Sequence, residues 1–527
     1  MIMKKFKYIL VVAIVAVFAT SCADSYLDQY PGGSTITEDQ YLKMDNVVEG
    51  TVKGIYTLLY PFGGEHDLFG QRAIDMYGDI LCGDMGMKTR RYGWFASDEL
   101  MQTYGRRGYY WSYYYGFIRA CNRAINAVDK VGHPGLTYDA TTITDEQYNL
   151  GGYYAQLLTI RGWAYAGLVR TFVLMDAADG DLAIPIYTEE DTKSDSIVGR
   201  PRATVADVYL RIEEDLQTAI QYFEAYPEFE RASKIEMSAD IARILLAYSY
   251  LNKKDNTNAL KYAKEAITKG APVILPQAQV LTTGFNNVDN ANWIWGMDVT
   301  VENTTGLASF FGQCDIYSYS YASAGDIKGI DQILYDAIYP WDIRKSWWNN
   351  YALYSGDKNA KDYQYAPDGK FYSAKSKEIQ GDRDWLSDNV YMRWELAYLI
   401  AAEAACREGL LGEAKDYLFA ITDQRVIDTE AATYAAWQAT LVDDATLLEA
   451  IRYNWRIELW GEGYGLQTFR RYGVGVTLGS NHLRSKKDIV PTTARIFTFE
   501  LPTGELYYNP YIRQESTSDT RVMRKQN

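Results

Sequence analysis

The chain has 527 residues, with 53 Lys and Arg against 68 Asp and Glu, a formal charge of −15. This balance disfavours a nucleic-acid partner and attraction to anionic lipid through surface charge. Three His, five Cys, no CxxC and no HExxH leave no zinc pattern, and no metal or cofactor is expected.

Residues 1–21 read as a secretory signal. Lys4, Lys5 and Lys7 form a positive start, and Tyr8 to Ala19 is an unbroken apolar run, too short and wrongly flanked for a transmembrane helix. Ala19-Thr20-Ser21-Cys22 resembles a bacterial lipobox, with Ala19 in place of the usual Leu. Cys22 is therefore the expected lipidation site, and two or more acyl chains anchor stably. Removing the three leader lysines takes the charge from −15 to −18. No later apolar run is long enough to span a bilayer. The other four cysteines, Cys82, Cys121, Cys314 and Cys406, are scattered and read as buried thiols.

Beyond the leader, helical periodicity dominates. Tyr153 to Val173 places Leu157, Ile160, Ala164, Leu168 and Phe172 on one stripe. Thr204 with Asp207 is a capping-box start for a helix whose inner face is Val205, Val208, Ile212, Leu216, Ala219 and Phe223. Ser238 caps "ADIARILLAYSYLN", and a polar break leads into "TNALKYAKEAITKG", which runs on Ala259, Ala263 and Ala266. This pair reads as a tetratricopeptide-like hairpin, and "RWELAYLIAAEAACREGLLGEAKDYLFAITDQR" as a second. Such units bury their faces only against neighbours, so the superhelix is expected to draw on both halves of the chain.

Between Gly270 and about Asp388 the stripes fade. "ANWIWGMDVT" alternates like a short strand, with Trp293 and Trp295 as core residues. Around it lie loops rich in Tyr, Trp, Gly and Asp, where function concentrates. Aromatic usage is unusual throughout: 46 Tyr, 17 Phe and 13 Trp. Such amphipathic rings suit half-wet surfaces, including sugar-binding sites, although most must simply pack helices. Near the C-terminus, "NWRIELWGEGYGLQTFRRYG" carries Gly461, Gly463 and Gly465. A nucleotide loop needs a preceding strand and a third glycine where Leu466 stands. The stripe Leu448, Ile451, Trp455 and Leu459 instead marks a helix that the glycines end.

In order along the chain, several segments resemble the RagB/SusD-type outer-membrane lipoproteins of Bacteroidetes. They are Trp111, Tyr115, Ile118 and Asn122 in the first helical region; "RGWAYAGLVR" followed by "GDLAIPI"; and Val208, Tyr209, Ile212, Asp215, Leu216 and Ala219. "RWELAYLIAAEA" and the closing "FTFELPTGELYYNPYI" complete the series. Arg456, Glu458, Leu459, Glu462, Gly463, Phe469, Arg471 and Gly473 resemble a further family segment, in which Asn454, Gly465 and Thr468 depart from the usual Glu, Arg and Asp. Those departures suggest a helix–turn–helix clamp that is looser and more aromatic than usual.

The resemblance implies a mostly α, SusD-like fold, with tetratricopeptide-like pairs as scaffold, a loop-rich aromatic insertion and a few short strands. It divides the chain into the leader (1–21) and a SusD-like domain (22–527). That domain comprises an N-terminal helical part (22–269), the insertion (270–388) and a C-terminal helix pair with closing segment (389–527). It further implies a non-catalytic, lipid-anchored protein on the outer surface of the outer membrane, which captures an oligosaccharide and delivers it to a SusC-like TonB-dependent transporter.

Binding a pyranose takes flat aromatic platforms for its C–H face and a few polar groups for its hydroxyls. Two clusters meet that requirement. One is Tyr92, Trp94, Phe95 and Asp98 in "TRRYGWFASDE"; the other is Tyr317, Tyr319, Tyr321, Trp347 and Trp348 in the insertion. Trp94, flanked by Gly93 and charges, is the foremost candidate. Two alternatives stand beside this reading. One is a peptide-binding member of the same family. The other is a helical-scaffold glycoside hydrolase, which requires two suitably spaced carboxylates and for which no GxSxG or Walker A pattern offers a nucleophile.

Overall fold

The computed structural model describes residues 47–95, 105–174, 177–192, 199–348, 363–475, 477–483 and 497–512. The expected leader, Cys22 and Asp98 lie outside the described residues. Of the chain's two compact units, Met1–Val47 lies almost wholly outside them, and Val48–Asn527 carries the fold.

Helices of eight or more residues are α1 Val47–Tyr56, α2 Gln71–Cys82, α3 Arg107–Gly132, α4 Asp145–Phe172, α5 Val205–Ala225, α6 Ala239–Asn252, α7 Asn256–Lys269, α8 Trp394–Arg407, α9 Leu411–Thr422, α10 Ala431–Ala439, α11 Asp444–Glu458 and α12 Gly465–Tyr472. The strands are β1 Met85–Met87, β2 Leu182–Pro185, β3 Arg202–Thr204, β4 Trp293–Met297, β5 Lys328–Ile330 and β6 Asn389–Arg393. They form three antiparallel two-stranded ladders, β1–β5, β2–β3 and β4–β6. The fold is mostly helical.

The scaffold is a run of neighbouring helices from α3 to α9, each packed on the next. α7 packs on α8, so the superhelix does join the two halves of the chain. Local signals set the boundaries. Thr204 accepts from the Asp207 amide while the Asp207 side chain reaches back, a reciprocal cap that starts α5. Ser238 accepts from the Ile241 amide to start α6. Ala259, Ala263 and Ala266 are fully buried, which lets α7 approach its neighbours closely. α4 is buried on nearly all sides rather than on one stripe, because α3 and α5 both pack on it.

Three positions of the family resemblance acquire a physical reason in this packing. The buried Arg161 guanidinium donates to Asp215 on α5 at 2.9 and 2.8 Å and to Asn122 on α3 at 2.7 Å. One side chain thus ties three consecutive helices, with Glu189 as a further partner of Arg161 and Arg211 as a further partner of Asp215. The four described cysteines are free and buried. Trp293 and Trp295 sit in β4 and are buried, consistent with their reading as core.

The clamp differs from expectation. Glu458 and Glu462 do not find their main partners across the turn between α11 and α12. Arg344, Arg393 and Arg425 donate to the Glu458 carboxylate at 2.8–2.9 Å. Arg393 and Lys370 hold Glu462 at 2.9 and 2.7 Å. Asp342 and Glu395 complete the group, and every member is buried. Burial alone would raise the Glu458 carboxyl, but Arg425, Arg393 and Arg344 outweigh it and hold it well below the usual carboxylate range. Asn454 and Gly465, two of the departures from the family segment, have hydrogen-bond partners of their own in this packing. Asn454 itself accepts from Arg344 at 2.9 Å.

The glycine run also acquires a role. Gly463 and Gly465 turn their amides onto the Asp79 carboxyl group of α2 at 3.3 and 3.1 Å. A Cβ on Gly463 would lie 2.2 Å from Asp75, and its φ of 84° suits glycine. The run cradles a carboxyl group, and that group is a side chain of the protein's own α2.

Candidate functional site

The β1–β5 ladder brings the two aromatic clusters together. Met87 pairs with Lys328, so the loop leaving β1 and the loop entering β5 emerge at the same end. Thr89 donates to the Gly325 carbonyl at 3.1 Å, and Arg91 donates to that of Ala324. Tyr321 then lies against the rings of Tyr92 and Trp94, with centroids 5.0 and 6.4 Å away.

A third segment, the loop from α1 to α2, completes the ledge. His66 stacks on Trp94 at 5.5 Å with 17° between planes. Its Nδ1 lies 2.9 Å from the Tyr321 hydroxyl, and its carbonyl accepts from Gln313 at 2.8 Å. Phe62 meets His66 edge-on at 6.4 Å. Phe62 is 57% exposed and Tyr92 46%, whereas Trp94 and His66 are half-buried. Exposed rings are thus backed by rings fixed from behind, which limits the entropy lost on ligand contact. Next to Tyr321 in sequence, Tyr319 is 46% exposed, with the Arg383 guanidinium 3.8 Å over its ring. Trp385 donates to the Tyr319 carbonyl at 2.9 Å.

Tyr92, Trp94, Tyr319 and Tyr321 therefore belong to one surface region, with Tyr321 at its buried floor. Four other candidates do not. Phe95 is fully buried against Phe69, with centroids 6.0 Å apart. Tyr317 is buried, and its hydroxyl donates to Asp368. Trp347 is fully buried and donates to the Val280 carbonyl at 2.8 Å; Trp348 packs on Trp460 at 5.4 Å. In this structure these four rings serve packing and offer no face to a ligand. Phe62, His66, Arg383 and Trp385 join the region without having stood out in the sequence. "FGGEH" after α1 carried a usable signal, an aromatic residue in a glycine-rich turn, but His66 gains meaning only beside Trp94 and Tyr321.

The ledge offers ring faces and hydrogen-bonding groups. Its carboxylates are tied to cations: Asp67 accepts from Arg106 at 3.1 Å, and Asp326 from the buried Lys328 at 3.0 Å. Burial pushes Asp315 and Asp388 up to about 6, but both accept from backbone amides, of Tyr317 and Ser373 and of Val288 and Val299 respectively. Among the described residues no group of three or more His, Cys, Asp or Glu is placed to hold a metal ion, and no helix is long and apolar enough to cross a membrane.

Comparison with known proteins bears on the fold. Residues 26–246 match the SusD-like family model described as "Starch-binding associating with outer membrane". A SusD-like carbohydrate binding protein from Bacteroides vulgatus superposes with a TM-score of 0.71 at 21% identity, covering 89% of this chain and 97% of that one. A SusD superfamily protein from Bacteroides thetaiotaomicron gives 0.67 at 20% identity, covering 88% and 98%. Surface glycan-binding protein A from the same species gives 0.57 at 17% identity, covering 92% and 100%. No curated protein matches the sequence. The match over residues 26–246 makes that part of the chain similar to the SusD-like family, and the whole described fold is similar to that of SusD-like proteins.

Proposed function

We propose that the chain is a non-catalytic cell-surface receptor that captures an oligosaccharide on the ledge formed by Phe62, His66, Tyr92, Trp94 and Tyr321. In this reading Cys22 carries the lipid that holds it on the outer membrane, and the captured glycan passes unchanged to a SusC-like TonB-dependent transporter. The observation that carries the reading is the convergence of three loops on one partly exposed aromatic surface. Rings there can stack on the C–H face of a pyranose, while His66 and the exposed Arg91 serve its hydroxyls. The ion-paired state of Asp67 and Asp326 supports binding without hydrolysis, since neither stands as a free acid–base pair.

The test is calorimetric titration of starch-derived and other oligosaccharides, and of peptides, into the full chain and its Trp94→Ala variant. Losing one stacked ring should cost about 1–2 kcal/mol, roughly a five- to thirtyfold weaker Kd. A peptide that binds where every glycan fails would overturn the reading, as would a glycan shortened by the purified protein.

A further inference from the structure

Away from the ledge, a cavity of about 300 Å³ lies where the ends of α4 and α6, the start of α5 and one face of α12 meet. Its lining is cationic in a chain of net charge −15. Lys253, Lys254, Arg470 and Arg471 contribute to it, and Asp179 is the lone acid among the described lining residues. Two of these cations are already neutralised. Arg471 holds the two oxygens of Glu403 at 3.1 and 2.9 Å, and Lys253 lies 2.7 Å from Glu213.

The other two are not. Arg470 donates to the carbonyls of Arg170 and Phe497, both at 2.9 Å, and to the Thr498 hydroxyl at 3.0 Å. These acceptors fix the guanidinium in place but supply no negative charge. Its buried Nε has no hydrogen-bond partner among the described residues. Burial pushes the group down to about 10, with Arg170 adding like charge beside it. Lys254, exposed at the rim, has no carboxylate in ion-pair range among the described residues. An anchored guanidinium without a counter-charge, facing a polar cavity, is matched best by an anion arriving from solution. Gln467 and the Tyr209 ring line the same space and add polar and flat surface for the rest of such a ligand.

We propose that this cavity is a second ligand site, taking a carboxylate or phosphate group borne by a molecule of monosaccharide size. The volume fits one sugar ring. Arg470 receives the oxyanion inside, and Lys254 closes on it from the rim. The site is independent of the aromatic ledge and stands whether or not the ledge binds glycan.

The experiment is calorimetry of glucuronate, inorganic phosphate and glucose against the full chain and against Arg470→Gln, Lys254→Gln and Trp94→Ala. Glucuronate, phosphate or both should bind, glucose should not, and binding should weaken at least tenfold in Arg470→Gln and measurably in Lys254→Gln while persisting in Trp94→Ala. Binding of glucuronate alone identifies a carboxylate ligand, and of phosphate alone a phosphate ligand. Should Arg470→Gln fail to fold, Lys254→Gln, on an exposed turn, decides. The proposal is overturned if neither anion binds, if glucose binds as well as they do, or if the Lys254 and Arg470 variants bind undiminished.

Discussion

Replacing Glu458 by Gln should cost about 3–5 kcal/mol of stability, the loss associated with breaking a buried ion pair. The buried group sets four cations, Arg344, Lys370, Arg393 and Arg425, against four anions, Asp342, Glu395, Glu458 and Glu462. Removing one negative charge leaves the group net positive where water does not reach. Three guanidiniums donate to the lost carboxylate, but a Gln side chain offers one acceptor oxygen and turns an NH₂ towards another donor. Urea unfolding followed by tryptophan fluorescence and circular dichroism measures the loss. The double variant Glu458→Gln/Arg425→Gln should cost less than the sum of the single changes, by about 0.5–3 kcal/mol, because the second change removes part of the uncompensated charge. The sign with pH comes from the lowered carboxyl of Glu458. Its stabilisation is present above the unfolded-state pKa of about 4.3 and is lost as pH falls through its lower folded value. Acid destabilisation should therefore be shallower in the variant. A loss under about 1 kcal/mol, typical of exposed pairs, would show that the buried network does not hold the fold in this way.

Four further outcomes are expected. Gly463→Ala forces a methyl to within 2.2 Å of Asp75 at a φ of 84°, and should cost about 2–4 kcal/mol in the same urea assay. Burial, with Asp84 nearby, raises Asp79 to about 8, so its contribution is fully present below about pH 4 and is lost as pH rises towards 8; wild type should lose stability relative to Asp79→Asn over that window. Trp347→Ala should destabilise by about 3–5 kcal/mol, whereas Trp94→Ala, half-buried in a loop, should shift the melting temperature little. Cys22→Ala should leave the fold intact and release the protein from the membrane fraction; retention there would remove the proposed anchor.

The scaffold was legible where its signals were local. Thr204 with Asp207, and Ser238, marked the starts of α5 and α6, and the alanines of α7 marked close packing. The charged core was not legible, because Arg344, Arg393 and Arg425 reach Glu458 from segments distant in sequence. The clamp's own turn gave no sign of these partners, which come from outside it. The aromatic candidates divide on the same principle. Trp347 and Trp348 stand in a stretch that reads as surface loop, yet tertiary packing against Phe285 and Trp460 buries them. Tyr92 and Tyr321 join only through the β1–β5 ladder, whose two short strands lie far apart in sequence and carry no local sign of pairing.

Ligand capture on the ledge built by Phe62, His66, Tyr92, Trp94 and Tyr321 is open to direct observation. A crystal structure of the protein with an oligosaccharide that binds in calorimetry would provide it. A pyranose face should lie in van der Waals contact with Trp94 or Tyr92, with a sugar hydroxyl bonded to His66 or Arg91. A sugar seated elsewhere, with the ledge left empty, would contradict capture at this site.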